Sequence, residues 1–208
     1  MKPKIAICIP HWGAISLEWA HDMYAQALTK EDDFEKMVKT CQGILNLDTE
    51  RNVLVQHALK DPLVTHILFI DSDCVLEEYN LNDAIRILLS TELPIVSGLY
   101  RTKVDPKYPY AMWRKEKDGY INIETWTGGN LVTVDVVGFG FVFIKREVFD
   151  KIPAPWFVWN KAELSEDWCA CQKFIENGFS IKVLTDLKLA HIGTFKLMTN
   201  GQLLTLKI

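Results

Sequence analysis

The stretch His66-Ile67-Leu68-Phe69-Ile70-Asp71-Ser72-Asp73-Cys74-Val75 decides the fold. Four successive apolar residues, without a turn former among them, stop at two carboxylates one residue apart. Such a run reads as a strand buried on both faces of a parallel sheet. Side chains alternate along a strand, so Asp71 and Asp73 leave its carboxyl end on the same side. In open α/β sheets that edge is where ligands bind. Two carboxylates this close repel, which raises the pKa of one of them unless a cation lies near. A hard divalent cation resolves the conflict and brings a phosphorylated ligand with it.

Outward from this strand, helix and strand patterns alternate. Ile5–Pro10 reads as a first strand ending in a Pro-His-Trp-Gly loop. Ser16 caps a helix with Leu17, Ala20, Tyr24 and Ala27 on one face, and Phe34 to Ile44 holds a second strand. A helix from Asp48 or Thr49 ends at Asp61-Pro62, and Val64–Ile70 follows. Asn80 or Asn82 opens a helix that Pro94 stops, before a short strand at Ile95-Val96. This βαβ order predicts a mostly parallel, right-handed sheet. The second half changes character. Ile121–Trp126, Gly128-Gly129-Asn130 and Leu131–Val137 read as an antiparallel hairpin, and Arg114-Lys115-Glu116-Lys117 as solvated loop charge. Phe139–Lys145 continues as strand, Ser165 caps a helix, and Ile181–Leu184 is the last core strand.

The chain has 208 residues, 49% hydrophobic and 24% charged, which suits one domain over 1–208 with a sizeable core. A net charge of −4 offers no basic field for nucleic acid. No apolar run approaches the ~20 residues that span a bilayer, so no transmembrane segment is expected. Ile5 to Ile9 is too short for a signal-peptide core, and a cytoplasmic location is the expectation. Five scattered cysteines, Cys169-Ala170-Cys171 included, lack metal or redox spacing.

Several blocks, in this order, resemble GT-A nucleotide-sugar glycosyltransferases, especially compact family-2-like enzymes of microbes and their viruses. They are Arg51-Asn52 on a helix followed by Thr65 to Asp73, Val96-Ser97-Gly98-Leu99-Tyr100-Arg101, Gly138-Phe139-Gly140 to Phe149, and Ser165-Glu166-Asp167 followed by Gly178-Phe179 and Ala190-His191-Ile192-Gly193. The resemblance implies an α/β GT-A (Rossmann-like) domain, its nucleotide-binding half over about residues 1–100 and its acceptor-side half over about 101–208. It implies a UDP- or GDP-sugar donor bound through Mn2+ or Mg2+, and a carbohydrate, glycan or protein acceptor. Asp73 then ligates the metal, and Asp71 meets ribose or sugar and reaches the metal through water. Ser72 joins Asp71 in the donor site, and His191 completes the metal site. Pro10, His11 and Trp12 lie where base and ribose belong. Arg51 and Arg101 bind phosphate oxygens or orient Asp71, and Gly138 and Gly140 let the backbone approach the donor sugar. Inverting sugar transfer needs a base near the acceptor hydroxyl. Asp167 is the first choice and Glu166 the second. With Trp168, Cys171 and Ile175 marking the buried side of their helix, Asp167 is expected beside that stripe and Glu166 outward.

Each residue also has a plainer reading. Asp71-Ser72-Asp73 forms a turn, since Asp and Ser favour turns. Glu166 and Asp167 suit the first turn of any helix. His191 reads as a satisfied strand-end histidine, and Arg51 as a partner of Glu50 or Asp48. Tyr108-Pro109-Tyr110-Ala111-Met112-Trp113 packs on the hairpin or lines an acceptor cleft, and Trp156, Phe157 and Trp159 raise the same choice. Three functional rivals remain, one of them a nucleotidyltransferase, although the Gly-rich basic signature that usually follows its first strand is absent. A haloacid-dehalogenase-type phosphatase would use Asp71 as nucleophile, although its motif normally sits on the first strand. A non-catalytic sugar-nucleotide binding module would keep Asp73 and dispense with Asp167.

Overall fold

The computed structural model describes residues 2–11, 15–42, 46–103, 109–159, 165–192 and 195–205. Trp12, Ile44, Tyr108 and Gly193 fall outside them. In chain order the elements begin with β1 (Lys4–His11), α1 (Leu17–Trp19), a π-helical turn (Ala20–Tyr24), α2 (Ala25–Ala27), β2 (Glu35–Gln42), α3 (Leu47–Leu59), β3 (His66–Ile70) and β4 (Cys74–Leu76). Then come α4 (Leu81–Ser90), β5 (Ile95–Leu99), β6 (Met112–Glu116), β7 (Gly119–Asn122), β8 (Leu131–Val134), β9 (Val136–Val137), β10 (Phe141–Lys145) and α5 (Arg146–Lys151). The last are α6 (Glu166–Glu176), β11 (Ile181–Ile192), β12 (Phe195–Leu197) and β13 (Leu203–Thr205).

The central sheet runs β13-β12-β11-β5-β10-β3-β1-β2, with β4 and β8 also paired to β11. β2, β1 and β3 are parallel neighbours, and β5 is parallel to β11. β10 enters antiparallel between β3 and β5. The alternation of β1 builds both layers. Ala6 and Cys8 face one core with Leu54 and Val55 of α3 and Phe174 of α6. Ile5, Ile7 and Ile9 face the other with Trp19, Met23 and the α4 residues Leu81, Ile85 and Leu88. Cys8, Cys74 and Cys171 are buried free thiols. Among the described residues no helix is long and apolar enough to cross a membrane.

Local signals set most boundaries. Ser16 Oγ accepts from Trp19 N (3.0 Å), and Asn80 Oδ1 from Asp83 N (2.9 Å), so both act as N-caps. The first helix nevertheless buries Trp19, Met23 and Ala27, while Leu17 is 86% exposed. The π turn is the reason: it winds more slowly than an α-helix, so residues four apart stay on one side.

The second-half hairpin differs from expectation in its partners. β7 pairs with β6 around Lys117 and Asp118, and β9 closes a three-stranded antiparallel sheet on the other side of β6. β8 leaves that unit for β11. Gly128 and Gly129, at φ +94° and +108°, carry a wide connection rather than a two-residue turn. Asp135 breaks the 131–137 run, and its carboxylate accepts from Lys115 N (2.7 Å). The charged Arg114-Lys115-Glu116 is thus the exposed part of β6.

Candidate active site

β3 ends at Ile70, and the chain turns at once. Asp71 N donates to Gly140 O (2.9 Å), and Cys74 N to Asp71 O (3.0 Å), closing a turn over residues 71–74. Trp19 Nε1 donates to Asp71 O (3.1 Å), which ties the first helical layer to the turn. Ile192 N donates to Asp73 O (2.7 Å), and Cys74 pairs across strands with His191. The carboxyl ends of β3 and β11 are thereby joined.

The two aspartates serve different neighbourhoods. Asp71 accepts from Arg51 Nη2 at 3.0 and 3.3 Å. Arg51 Nε donates to Glu166 Oε1 (3.3 Å), and Nη1 to Phe139 O (3.4 Å). This guanidinium is buried against the Phe69 and Phe139 rings, at 5.4 and 5.6 Å from their centroids. Burial pushes the Asp71 carboxyl up to about 6; Asp73 and Glu166 act in the same direction, and Arg51 opposes them. Glu166 is also raised, first by burial, with Asp167 adding to it and Arg51 opposing.

Glu166 therefore faces inward and is only 3% exposed, whereas the sequence placed it outward. The reason is its ion pair with Arg51, which a reading of the helix alone does not contain. The buried side of α6 is Glu166, Ala170, Cys171 and Phe174, and Ile175 is exposed. Asp167 is half-buried at the rim; its Oδ1 bonds Ser165 Oγ and accepts from Trp168 N (2.8 Å). Ser165 therefore stands at the N-cap position without bonding a backbone N–H.

Asp73 turns toward His191. Ligand atoms of Asp73, Cys74 and His191 all lie within 4.8 Å of one another. His191 Nδ1 is buried without a hydrogen-bond partner. Burial lowers the His191 pKa, with Lys103 adding to it and Asp73 opposing, so the imidazole is neutral at pH 7. A neutral ring with an unpaired nitrogen beside a carboxylate fits a divalent cation. Burial, then Asp73 and Asp71, raise the Cys74 thiol well above its ordinary range, and a soft sulfur suits a hard divalent cation less well than carboxylate oxygen does. Asp71, expected to share this site, is held by Arg51 instead and lies outside the cluster.

A cavity of about 320 Å³ is lined by Arg51, Asp71, Tyr100, Lys103, Trp113, Gly138, Trp159, Glu166, Asp167 and His191. A second, of about 300 Å³, is lined by His11, Ile15, Trp19, Tyr24 and Thr40 at the end of β1, where Pro10 is buried. Ser72 is half-buried in the turn. Arg101 is not brought to Asp71: its Nε donates to Thr199 O (2.7 Å), and its guanidinium lies 3.9 Å from the Tyr110 ring centroid. Gly138 and Gly140 make room for Tyr100, whose Oη accepts from Gly140 N (2.8 Å). A Cβ at Gly138 would stand 2.4 Å from that oxygen.

The aromatic segments divide. Trp156 and Phe157 are buried, their backbone tied to Asn52 of α3, while Trp159 is 49% exposed at the cavity. Trp113 packs 5.1 Å from Trp168 and also lines the cavity. Lys103 escaped the sequence reading. Its one signal was a basic residue just beyond the β5 strand end, at the same sheet edge as Asp71.

No protein-family model matches the chain. Over 76 residues it is 36% identical to the curated protein named Glycosyltransferase BC10 of Oryza sativa subsp. japonica. That match covers 33% of this chain and 18% of the plant protein's length. A197 from STIV superposes with a TM-score of 0.72 at 21% identity, covering 100% of this chain and 95% of the viral one. GalNAc-T7, solved with UDP, GalNAc and Mn2+, gives 0.61 at 11% identity, covering 92% of this chain and 44% of that one.

The chain has the GT-A fold. The fold that the ordered motifs implied is thus the one observed: a central, mostly parallel sheet with a separate antiparallel sheet in the second half.

Proposed function

We propose that this chain is a metal-dependent glycosyltransferase, moving sugar from a UDP- or GDP-sugar to a hydroxyl of a carbohydrate, glycan or protein acceptor. One observation carries the reading. His191, clustered with Asp73 and carrying an unpaired Nδ1, lines the same cavity as the separate carboxylate Asp167 at the carboxyl edge of the sheet. Bound Mn2+ or Mg2+ supplies Lewis-acid stabilisation of the leaving diphosphate.

In this reading Asp73 and His191 hold the cation. Arg51 orients Asp71, which meets ribose or sugar together with Ser72. The cavity beside His11 takes the base, and Gly138 borders the donor sugar. Asp167 takes the proton from the acceptor hydroxyl, and Glu166 acts by holding Arg51. Residues 1–100 carry most donor contacts, and 101–208 face the acceptor. The GalNAc-T7 structure, with UDP, GalNAc and Mn2+ on a similar fold, supports the ligand class. A phosphatase using Asp71 as nucleophile finds less support, because Arg51 engages both Asp71 oxygens and the motif follows the third strand.

Thermal unfolding with UDP or GDP tests the proposal. The melting temperature is expected to rise only when Mn2+ or Mg2+ is also present. An equal rise in chelator rejects metal dependence. Release of free sugar from one member of a nucleotide-sugar panel separates an enzyme from a binding module.

A further inference from the structure

The ammonium of Lys103 stands at the cation site just described. Nζ donates to Asp73 Oδ2 at 2.7 Å and to the Ile192 carbonyl at 2.5 Å. Ile192 N in turn donates to Asp73 O, so the three residues close a ring of hydrogen bonds around one charge. His191, the neighbour of Ile192, keeps Nδ1 unpaired beside them. An ammonium this close to Oδ2 fills the space a divalent cation needs, and two cations there repel. The Lys103 side chain is 35% exposed and also lines the 320 Å³ cavity, so it has solvent and cavity to move into. Its flexible four-carbon stem and three donors suit it to phosphate as a mobile point charge.

We infer that Lys103 is a tethered stand-in for the divalent cation, pairing with Asp73 until metal arrives and then swinging into the cavity to meet the donor diphosphate. This rests on the metal-dependent reading above. Lys103 then opposes metal binding while nucleotide is absent, and favours nucleotide binding once metal is in. Metal and nucleotide are coupled through one side chain that has two positions.

The test measures Mn2+ binding from the free-ion electron paramagnetic resonance signal, with and without UDP or GDP. Lys103→Met should bind Mn2+ alone more tightly than the natural protein, on the order of ten-fold. At saturating Mn2+ it should bind the nucleotide more weakly by a similar factor. Lys103→Arg, which keeps the cation, should stay close to the natural protein in both measurements. Asp73→Asn should lose Mn2+ binding. If the natural protein and Lys103→Met bind Mn2+ equally without nucleotide, while Asp73→Asn does not bind it, the Lys103 inference fails and the metal site stands. If none of them binds Mn2+ even with nucleotide, both fall. Lys103→Gln is a second neutral variant; unfolding of both neutral variants would make the ammonium a structural support and overturn the inference.

Discussion

Arg51 serves two carboxylates, Asp71 and Glu166, and Glu166 lies 115 positions away in the chain. Burial is the main reason both acids are hard to ionise, neighbouring carboxylates add to it, and the one guanidinium between them offsets only part of it. The two helix-start acids therefore respond differently to amidation. Asp167→Asn should abolish transfer and leave metal-dependent donor binding nearly unchanged, because a base acts on the acceptor. Glu166→Gln should chiefly lower stability, by about 1–3 kcal/mol, by weakening a charged hydrogen bond in a buried network. Donor-binding titrations and denaturant melts of the two variants separate these outcomes; near-normal transfer by Asp167→Asn removes it as the base. His66 sets an acid limit. Burial, then Lys145, hold its pKa down to about 4 from 6.5, and its ring stacks 4.7 Å from Phe143. The unfolded chain binds the proton first, so stability is full above about 6.5 and is lost as pH falls toward 4. The loss is about 3 kcal/mol at most. His66→Phe should flatten this part of the stability–pH curve, and an unchanged slope would assign the acid limit to other groups. The Asp71–Asp73 pair stood out in the sequence because it follows an unbroken apolar run, whereas His191 was named only through the resemblance. The inward turn of Glu166 and the position of Lys103 were not legible, since both depend on partners distant in the chain.

β11 passes close against β5 at Gly98. The register of that pair shifts between Leu184 and Lys188, beside Gly98. A Cβ on Gly98 would lie 2.4 Å from Leu189 Cδ1 and 2.9 Å from Leu187 O. The leucine tip can rotate, but the backbone carbonyl cannot yield without dragging β11. Gly98→Ala should therefore destabilise the fold by about 1–3 kcal/mol through overpacking. It should also weaken Mn2+ binding, since β11 carries His191 to the site. Chemical denaturation together with metal titration checks both parts, and a Gly98→Ala protein of natural stability would mean that β11 shifts freely. Element types were readable wherever a local device marked them: Ser16 and Asn80 as caps, and the unbroken run before Asp71. β6 was not, because its outer residues Arg114, Lys115 and Glu116 lie exposed and lack the alternation that marks a half-buried strand. The face of the first helix was misread because no sequence signal announced its π turn.

At the scale of the whole molecule, the parallel order of the first half followed from repeated β-α units with short connections. The insertion of β10 between β3 and β5 did not, since strand order depends on packing among segments far apart in the chain. The same remoteness governs β11, which binds β5, β4, β8 and β12 together and delivers His191 beside the Asp71–Asp73 turn. This arrangement has a consequence for the timing of synthesis. A growing chain exposes Asp71 and Asp73 early, when neither Glu166 nor His191 has been made. Arg51 then lacks its second acid, and the aspartate turn lacks the hydrogen bond from Ile192. Segments so distant are slow to pair, because loop closure precedes any reward from contact. The cleft is thereby incomplete in every unfinished copy, and its residues come together only when the last long strand has been laid into the sheet.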